Sequence, residues 1–492
     1  MPDPHDPYDL VIRGGTVATA TDVFAADVAV RGERVAAIGQ GLPAGATEID
    51  ATGRLVLPGG VDSHCHIEQL TASGLMNADT FATATASAAV GGTTTVIPFA
   101  AQHVGTSLTR VVADYHAAAE RGAVVDYAFH MILCDPRPEV LAEELPPLAR
   151  SGHGSLKVFM TYDRLRIEDG QFLDVLDAAR AHGLMVCVHA ENHGMIGWIG
   201  KRLLAGGYTA PRYHVPSHPR LGEVEAIGRA IACAALVDQP LMIFHVSTAE
   251  GAGVIHRARG EGRKVWGETC TQYLTLTAAD LDRPGLEGAM WMCSPPLREP
   301  SDQEALWWAL EVGTLQTVSS DHAPYRMDAS GKLAKGPGAN FKEIANGMPG
   351  LELRLPVLFD AMVSQGRLGL SKFVELTATA PARLYGLQAR KGSIAVGADA
   401  DLAIWDPERI VPIAQGPRHD GAGYTPFAGR TLKGWPVTVL RRGAVIATEG
   451  ALHAAPGSGR FLPRGGGEAA RPLGRPAPEL DPARNFGAVL RD

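Results

Sequence analysis

The chain has 492 residues, 46% hydrophobic and 20% charged, the composition of a globular protein with ample core. Its net charge of −8, with no basic run, argues against nucleic acid or an anionic membrane as a partner. No apolar stretch approaches the ~20 residues of a membrane helix, and Met1-Pro2-Asp3-Pro4-His5-Asp6 has neither part of a signal peptide, so a cytoplasmic protein is expected.

The first segment is strand-rich. Leu10–Ile12, Val17–Thr19, Ala26–Arg31, Arg34–Ile38 and Glu48–Asp50 are short runs broken by Gly-Gly, Asp and Gly-Glu turns. From Val56 the rhythm becomes apolar strand, loop and amphipathic helix. The predicted strands are Val61–His66, Thr94–Phe99, Asp126–Cys134, Ser155–Met160, Met185–His189, Leu241–His245, Lys264–Thr269 and Gln316–Ser320. Helical patterns fall between them at Ala82–Val90, Leu108–Arg121, Gln171–His182, Glu223–Val237 and Gly251–Gly260. Such alternation predicts an α/β fold, a (β/α)8 barrel rather than an open sheet. After Leu387, Gly392-Ser393-Ile394, Ala400–Trp405, Val437–Arg441 and Ala444–Thr448 read as sheet again.

The simplest arrangement makes residues 1–57 and 388–450 two parts of one small β-sandwich, with the barrel, 58–387, inserted between them. The tail, 451–492, is rich in Gly, Pro and Arg and is expected to be disordered or to pack on a neighbouring subunit. The six cysteines form no C-x-x-C pair and mostly sit in apolar, strand-like runs, so they read as reduced and buried.

Chemistry in such a barrel gathers at the carboxyl ends of the strands. The first strand ends in Pro58-Gly59-Gly60-Val61-Asp62-Ser63-His64-Cys65-His66. Residues i and i+2 share a face, so His64 and His66 point together and Cys65 points away. Alone this spacing is a weak signal. Later strand ends add His189, His245 and Asp321, and together they form a nitrogen and oxygen set suited to zinc or a similar dication.

Lys157 lies between Leu156 and Val158 on an inner strand, where a bare ammonium is costly. Near two dications its pKa falls, and the neutral amine can take up carbon dioxide to give a carbamate with two metal-binding oxygens. The alternative is a lysine that reaches out of the barrel mouth to solvent or substrate.

These motifs resemble the metal-dependent amidohydrolase superfamily, specifically its dihydropyrimidinase/hydantoinase branch. The carriers are the segment ending in His64-Cys65-His66, Lys157-Val158-Phe159-Met160-Thr161-Tyr162, His189-Ala190-Glu191-Asn192 and His245-Val246-Ser247. Further on come Cys293-Ser294-Pro295-Pro296-Leu297-Arg298, Ser319-Ser320-Asp321-His322-Ala323-Pro324-Tyr325, Asn346-Gly347-Met348-Pro349-Gly350-Leu351-Glu352 and Gly397-Ala398-Asp399-Ala400-Asp401-Leu402.

The resemblance implies a binuclear zinc site. His64, His66 and Asp321 would hold one ion and His189 and His245 the other, with Lys157 as N6-carboxylysine and a hydroxide bridging them. It implies a homotetramer built from dimers. It also implies hydrolysis of dihydropyrimidines and 5-substituted hydantoins to N-carbamoyl amino acids. Asp321 would move the proton and Tyr162 would donate to the oxyanion. Backbone groups of Ser294 and Asn346 would read the substrate's –CO–NH–CO– edge.

Leu70, Phe159, Leu165 and Arg166 are candidates to line the ring-substituent pocket. Arg166 could favour a polar or acidic substituent, although a solvated loop arginine is the preferred reading, and the loop Ile67–Leu70, with Glu68 and Gln69, is expected to choose the substituent. Asp62, Glu191, Ser320 and His322 are expected to orient ligands. His130, His182, His193 and His256 are expected to be structural or surface residues. The rivals are an allantoinase, cyclic imidase or dihydroorotase on the same metal site, and a non-catalytic scaffold of the same fold.

Overall fold

Short apolar strands that alternate with one-sided helices must bury both faces of the sheet they form, and a closed parallel barrel does so without leaving an edge. The structure, a computed structural model, describes residues 8–71 and 74–490. The signal-peptide reading on residues 1–6 therefore lies outside the described residues.

The amino-terminal strands are β1 (Tyr8–Ala18), β2 (Val23–Arg31), β3 (Arg34–Gly39), β4 (Gly45–Asp50) and β5 (Leu55–Pro58). The barrel strands are β6 (Gly60–Cys65), β7 (Thr93–Ala101), β8 (Asp126–Tyr127), β9 (His130–Ile132), β10 (Ser155–Phe159), β11 (Met185–His189), β12 (Leu241–Ile243), β13 (Val265–Cys270) and β14 (Thr317–Ser319). They pair in the order β14-β13-β12-β11-β10-β9-β7-β6, with β8 beside β7. A parallel bridge between Cys65 and His322 joins the two ends. Arg354 holds the same seam, donating to Val61 O and Val318 O at 3.1 Å each. Strands β15 (Leu402–Pro412), β16 (Thr431–Arg441), β17 (Ala444–Thr448) and β18 (Ala451–Leu452) join β1 to β5 in one sheet built from both chain ends.

The helices follow the sequence pattern. Leu108–Gly122 starts where the Ser107 side chain accepts from Arg110 N, and it buries Leu108, Val111, Val112 and Ala119. Burial of each of the larger side chains contributes about 1.5–3 kcal/mol.

Four expectations differ from the structure. Gly14-Gly15, read as a turn, lies inside β1, where the pairing with β2 shifts register between Ile12 and Gly15, as at a β-bulge. A Cβ on Gly15 would lie 2.6 Å from Val56 Cγ2, so the bulge is packed tightly from above. Asp126–Cys134 is two short strands, because Tyr127 turns its N–H to Arg460 O. Gly392-Ser393-Ile394 is not a strand; Ile394 fills the core of the terminal sheet from a bend.

The first half of the tail is the fourth. Residues 459–470 run under this chain's own barrel, not away from it. Leu462, Ala469 and Ala470 join Val61, Met185, Cys187 and Tyr385 in the inner core. Arg464 donates to Ser155 Oγ at 2.7 Å and Phe129 O at 3.0 Å. Composition misleads here because a few buried apolar side chains, backbone bonds and one buried arginine are enough to anchor the segment. Among the described residues no helix is long and apolar enough to cross a membrane.

Candidate metal centre

At the carboxyl ends of the barrel strands the chain turns sharply. His245 (φ 39°), Asp321 (φ 45°) and Tyr162 (φ 72°) all adopt left-handed backbone conformations that non-glycine residues rarely hold. These turns follow β12, β14 and β10.

His64 Nε2 and His66 Nε2 lie 3.1 and 3.3 Å from Asp321 Oδ1. The three side chains form one group able to hold a cation. Cys65 faces the outer core, as alternation requires. The His189 and His245 rings are 4.5 Å apart, and His245 lies 5.3 Å from His64. Lys157 Nζ is buried without a hydrogen-bond partner among the described residues, 4.2 Å from the Phe244 ring centroid. His245 Nδ1 is buried without a partner as well.

Electrostatics set the forms of these groups. Burial pushes Lys157 down to about 8. Burial also lowers His66, His189 and His245, leaving neutral imidazoles. Burial opposes the charge on Asp321, yet His64 and His66 hold it well below the usual carboxylate range. For His64 burial lowers the pKa, but the Asp321 and Glu268 carboxylates raise it overall.

Neutral imidazoles, a carboxylate, and an amine close to neutrality with no partner are the donors that divalent cations take. The residues present therefore fit the implied metals.

The surrounding groups orient the donors. Glu191 Oε2 lies 2.7 Å from His189 Nε2, and its other oxygen 2.9 Å from His218 Nδ1. Asp62 accepts from His64 N and Ser320 N. Ser320 Oγ donates to His64 O, and His322 Nε2 lies 2.6 Å from Asp79 Oδ2. Glu268 was missed by sequence reasoning; its Oε1 lies 2.7 Å from His64 Nδ1. The signal was present: a charged residue inside an inner strand, the same oddity that singled out Lys157.

Among the other predicted residues, the Tyr162 ring lies 5.2 Å from His189, and Ser294 Oγ lies 3.4 Å from His214 Nε2. Burial holds the Tyr162 hydroxyl well above the usual phenol range, so it remains a donor. Asn346 Oδ1 is buried without a partner. Phe159 packs 5.8 Å from Tyr162, whereas Leu70 is largely exposed and pairs with Met76 across a small loop. His130 is structural, within hydrogen-bond distance of Ser63 O and Ser155 Oγ.

Arg166, read first as a solvated loop arginine and only second as a cation for the substituent, is ion-paired with Glu168 two residues on. The loop after His66 is also committed. Gln69 Oε1 lies 2.6 Å from His66 Nδ1, Glu68 accepts from Phe81 N at the start of a helix, and Ile67 is buried. Of that loop, Leu70 has the most exposed side chain among the described residues.

A parallel barrel with these donors at its carboxyl mouth is the frame of a barrel protein with a candidate metal site. The sequence matches the amidohydrolase family over residues 55–446. The D-hydantoinase of Rhizobium radiobacter is 43% identical over 459 residues, 93% of this chain and 99% of that protein. The crystal structure of dihydropyrimidinase from Brevibacillus agri NCHU1002 superposes with a TM-score of 0.90 at 42% identity, covering 94% of this chain and 99% of that one. The L-hydantoinase (dihydropyrimidinase) of Arthrobacter aurescens superposes at 0.85 with 30% identity, covering 93% and 100%. The chain belongs to the amidohydrolase family, in its hydantoinase and dihydropyrimidinase branch.

Proposed function

We propose that this chain is a cyclic amidohydrolase that opens dihydropyrimidines and 5-substituted hydantoins to N-carbamoyl amino acids. His64, His66 and Asp321 would hold one zinc ion, His189 and His245 a second, and a carboxylated Lys157 both. The observation that carries the reading is Lys157, a buried amine with no partner among histidine and carboxylate donors. Its nitrogen takes up carbon dioxide and loses a proton, turning an orphan into a two-oxygen ligand. When bound, such a metal pair lowers the pKa of water from 15.7 to about 7 and polarises a carbonyl oxygen.

The chain's own groups do the rest. Tyr162, kept protonated by burial, donates to the oxygen that gains charge as the ring carbonyl is attacked. Asp321, kept ionised by its histidines, accepts the nucleophile's proton and returns it to the ring nitrogen as the C–N bond breaks. Water is consumed, and the product carries a new carboxylate and a carbamoyl group. The Tyr162 motif and the Ser294 and Asn346 pair favour this branch over an allantoinase, imidase or dihydroorotase.

The cytoplasmic location belongs to the same reading and is supported by the six free cysteines. So does a homotetramer, which light scattering tests. The deciding experiment is turnover by zinc-loaded protein of dihydrouracil, phenylhydantoin, allantoin, dihydroorotate and succinimide. Activity on the first two supports the proposal, and none on either refutes it. A scaffold protein would purify with well under one zinc per chain.

A further inference from the structure

The carbonyl and N–H of a trans peptide point in opposite directions, so a bond made by one aims the other. Cys293 O accepts from His214 Nε2 at 2.8 Å, which turns the Ser294 N–H to the far side of that peptide. Gly347 N donates to Met292 O at 2.8 Å, which turns the Asn346 carbonyl the opposite way. Neither the Ser294 N–H nor the Asn346 carbonyl has a hydrogen-bond partner among the described residues. Gly347 cannot be replaced here, because at φ 143° a Cβ would lie 2.2 Å from Ala323 O.

Behind both segments lies Lys332. It is 1% exposed, and its Nζ donates to Ala345 O at 2.8 Å and Met292 O at 3.4 Å. No carboxylate pairs with it among the described residues. An ammonium among carbonyls alone is an expensive way to fill space, and an apolar side chain of equal length would fill it at less cost. Burial pushes its pKa down to about 7.

We propose that Lys332 is a positioning residue for substrate recognition, clamping the Met292–Ser294 segment to the Ala345–Gly347 segment. The Ser294 N–H and the Asn346 carbonyl then stand as a fixed donor and acceptor for the edge of a cyclic amide. The inference rests on the hydrolase reading above and adds a residue that touches neither substrate nor metal. His214 serves the same end from the other side, but it also packs against His218, whose partner Glu191 bonds His189. Lys332 is therefore the cleaner probe.

The test is the steady-state kinetics of zinc-loaded, full-length Lys332→Met and Lys332→Arg on dihydrouracil and hydantoin. Lys332→Met should raise KM at least about tenfold with kcat per bound zinc within about threefold, the pattern of lost binding rather than lost chemistry. Its preference for the parent ring over the N-methylated ring should shrink, and Lys332→Arg should recover part of the KM. KM does not depend on the active fraction, so a partly folded preparation still decides. A wild-type KM in Lys332→Met, or an unchanged preference between parent and N-methyl rings, overturns the proposal. A wild-type protein that turns over neither ring defeats the hydrolase reading instead, before Lys332 is altered.

Discussion

Glu268 offers the sharpest test of how the candidate centre is held. It is fully buried in β13, its Oε1 lies 2.7 Å from His64 Nδ1, and its other oxygen accepts from Ser63 Oγ at 3.2 Å. His64 then presents Nε2 to the centre, with ring angle and tautomer both set by the carboxylate. Glu268→Gln keeps an acceptor for Nδ1–H and a neighbour for Ser63, and removes only the charge. Glu268→Ala leaves a buried ring N–H unpaired and frees the imidazole to turn. Loss of such an orienting group costs about 10- to 100-fold in metal affinity, or roughly 1.4–2.7 kcal/mol. Gln should fall near the lower bound and Ala near the upper. Zinc competition with a chromophoric chelator, read beside metal content after dialysis, measures both. If the two variants bind zinc within about threefold of wild type, His64 is not held for metal by Glu268 and the argument fails.

Tyr162→Phe should lower kcat by about 10²- to 10³-fold with KM within a few-fold, since the hydroxyl acts where charge develops; an unchanged kcat removes Tyr162 from the chemistry. Arg166→Ala should leave KM for a hydantoin bearing an acidic substituent within roughly twofold, because Glu168 already pairs the guanidinium and such pairs are worth little. A selective rise in that KM would restore Arg166 to the pocket. Acid should loosen the tail. Burial pushes His153 down to about 4, against about 6.5 in the unfolded chain, so the unfolded state binds more protons between those values and stability falls as pH drops through them. Phe461 stacks on that ring at 5.1 Å, so the protection factors at residues 459–464, corrected for the slower intrinsic amide exchange in acid, should fall first between pH 7 and 4.5. A urea midpoint that is flat over this range counts against it.

The barrel and its donors were legible because both follow local rules. A two-residue period places His64 and His66 together, and the helix–strand rhythm places Lys157, His189, His245 and Asp321 on or at the ends of later strands. What stayed hidden is non-local. Glu268 meets His64 across 204 residues, and Arg354 closes the seam across 293 residues to Val61. Neither pairing leaves a spacing to read. Arg166 and Glu68 show the converse. Their position near the mouth suggested a part in choosing substrate, yet each is taken up by a neighbour, Glu168 or the helix start at Phe81. Proximity to a site follows from sequence order, but availability depends on partners that only the folded chain supplies.

The strained turns explain why so much buried polarity lies away from the mouth. A non-glycine residue held in the left-handed region costs roughly 1–2 kcal/mol, and His245, Asp321 and Tyr162 each sit there. Their sum is comparable to a sizeable share of the 5–15 kcal/mol that keeps a typical domain folded. The turns persist only if the strands beneath them cannot shift to relieve them. Arg354 ties β6 to β14, Arg464 ties the tail to β10, and Lys391 joins Asp126 at the barrel floor to Asp399 and Asp401 of the terminal sheet. Arg464 and Lys391 act at strand starts, the end opposite the chemistry, and Arg354 acts within the seam itself. The floor, the seam and the added sheet thus act together on the mouth. They hold strand ends rigid enough that three side chains can be turned inward against their own backbone preference, and aimed at one point.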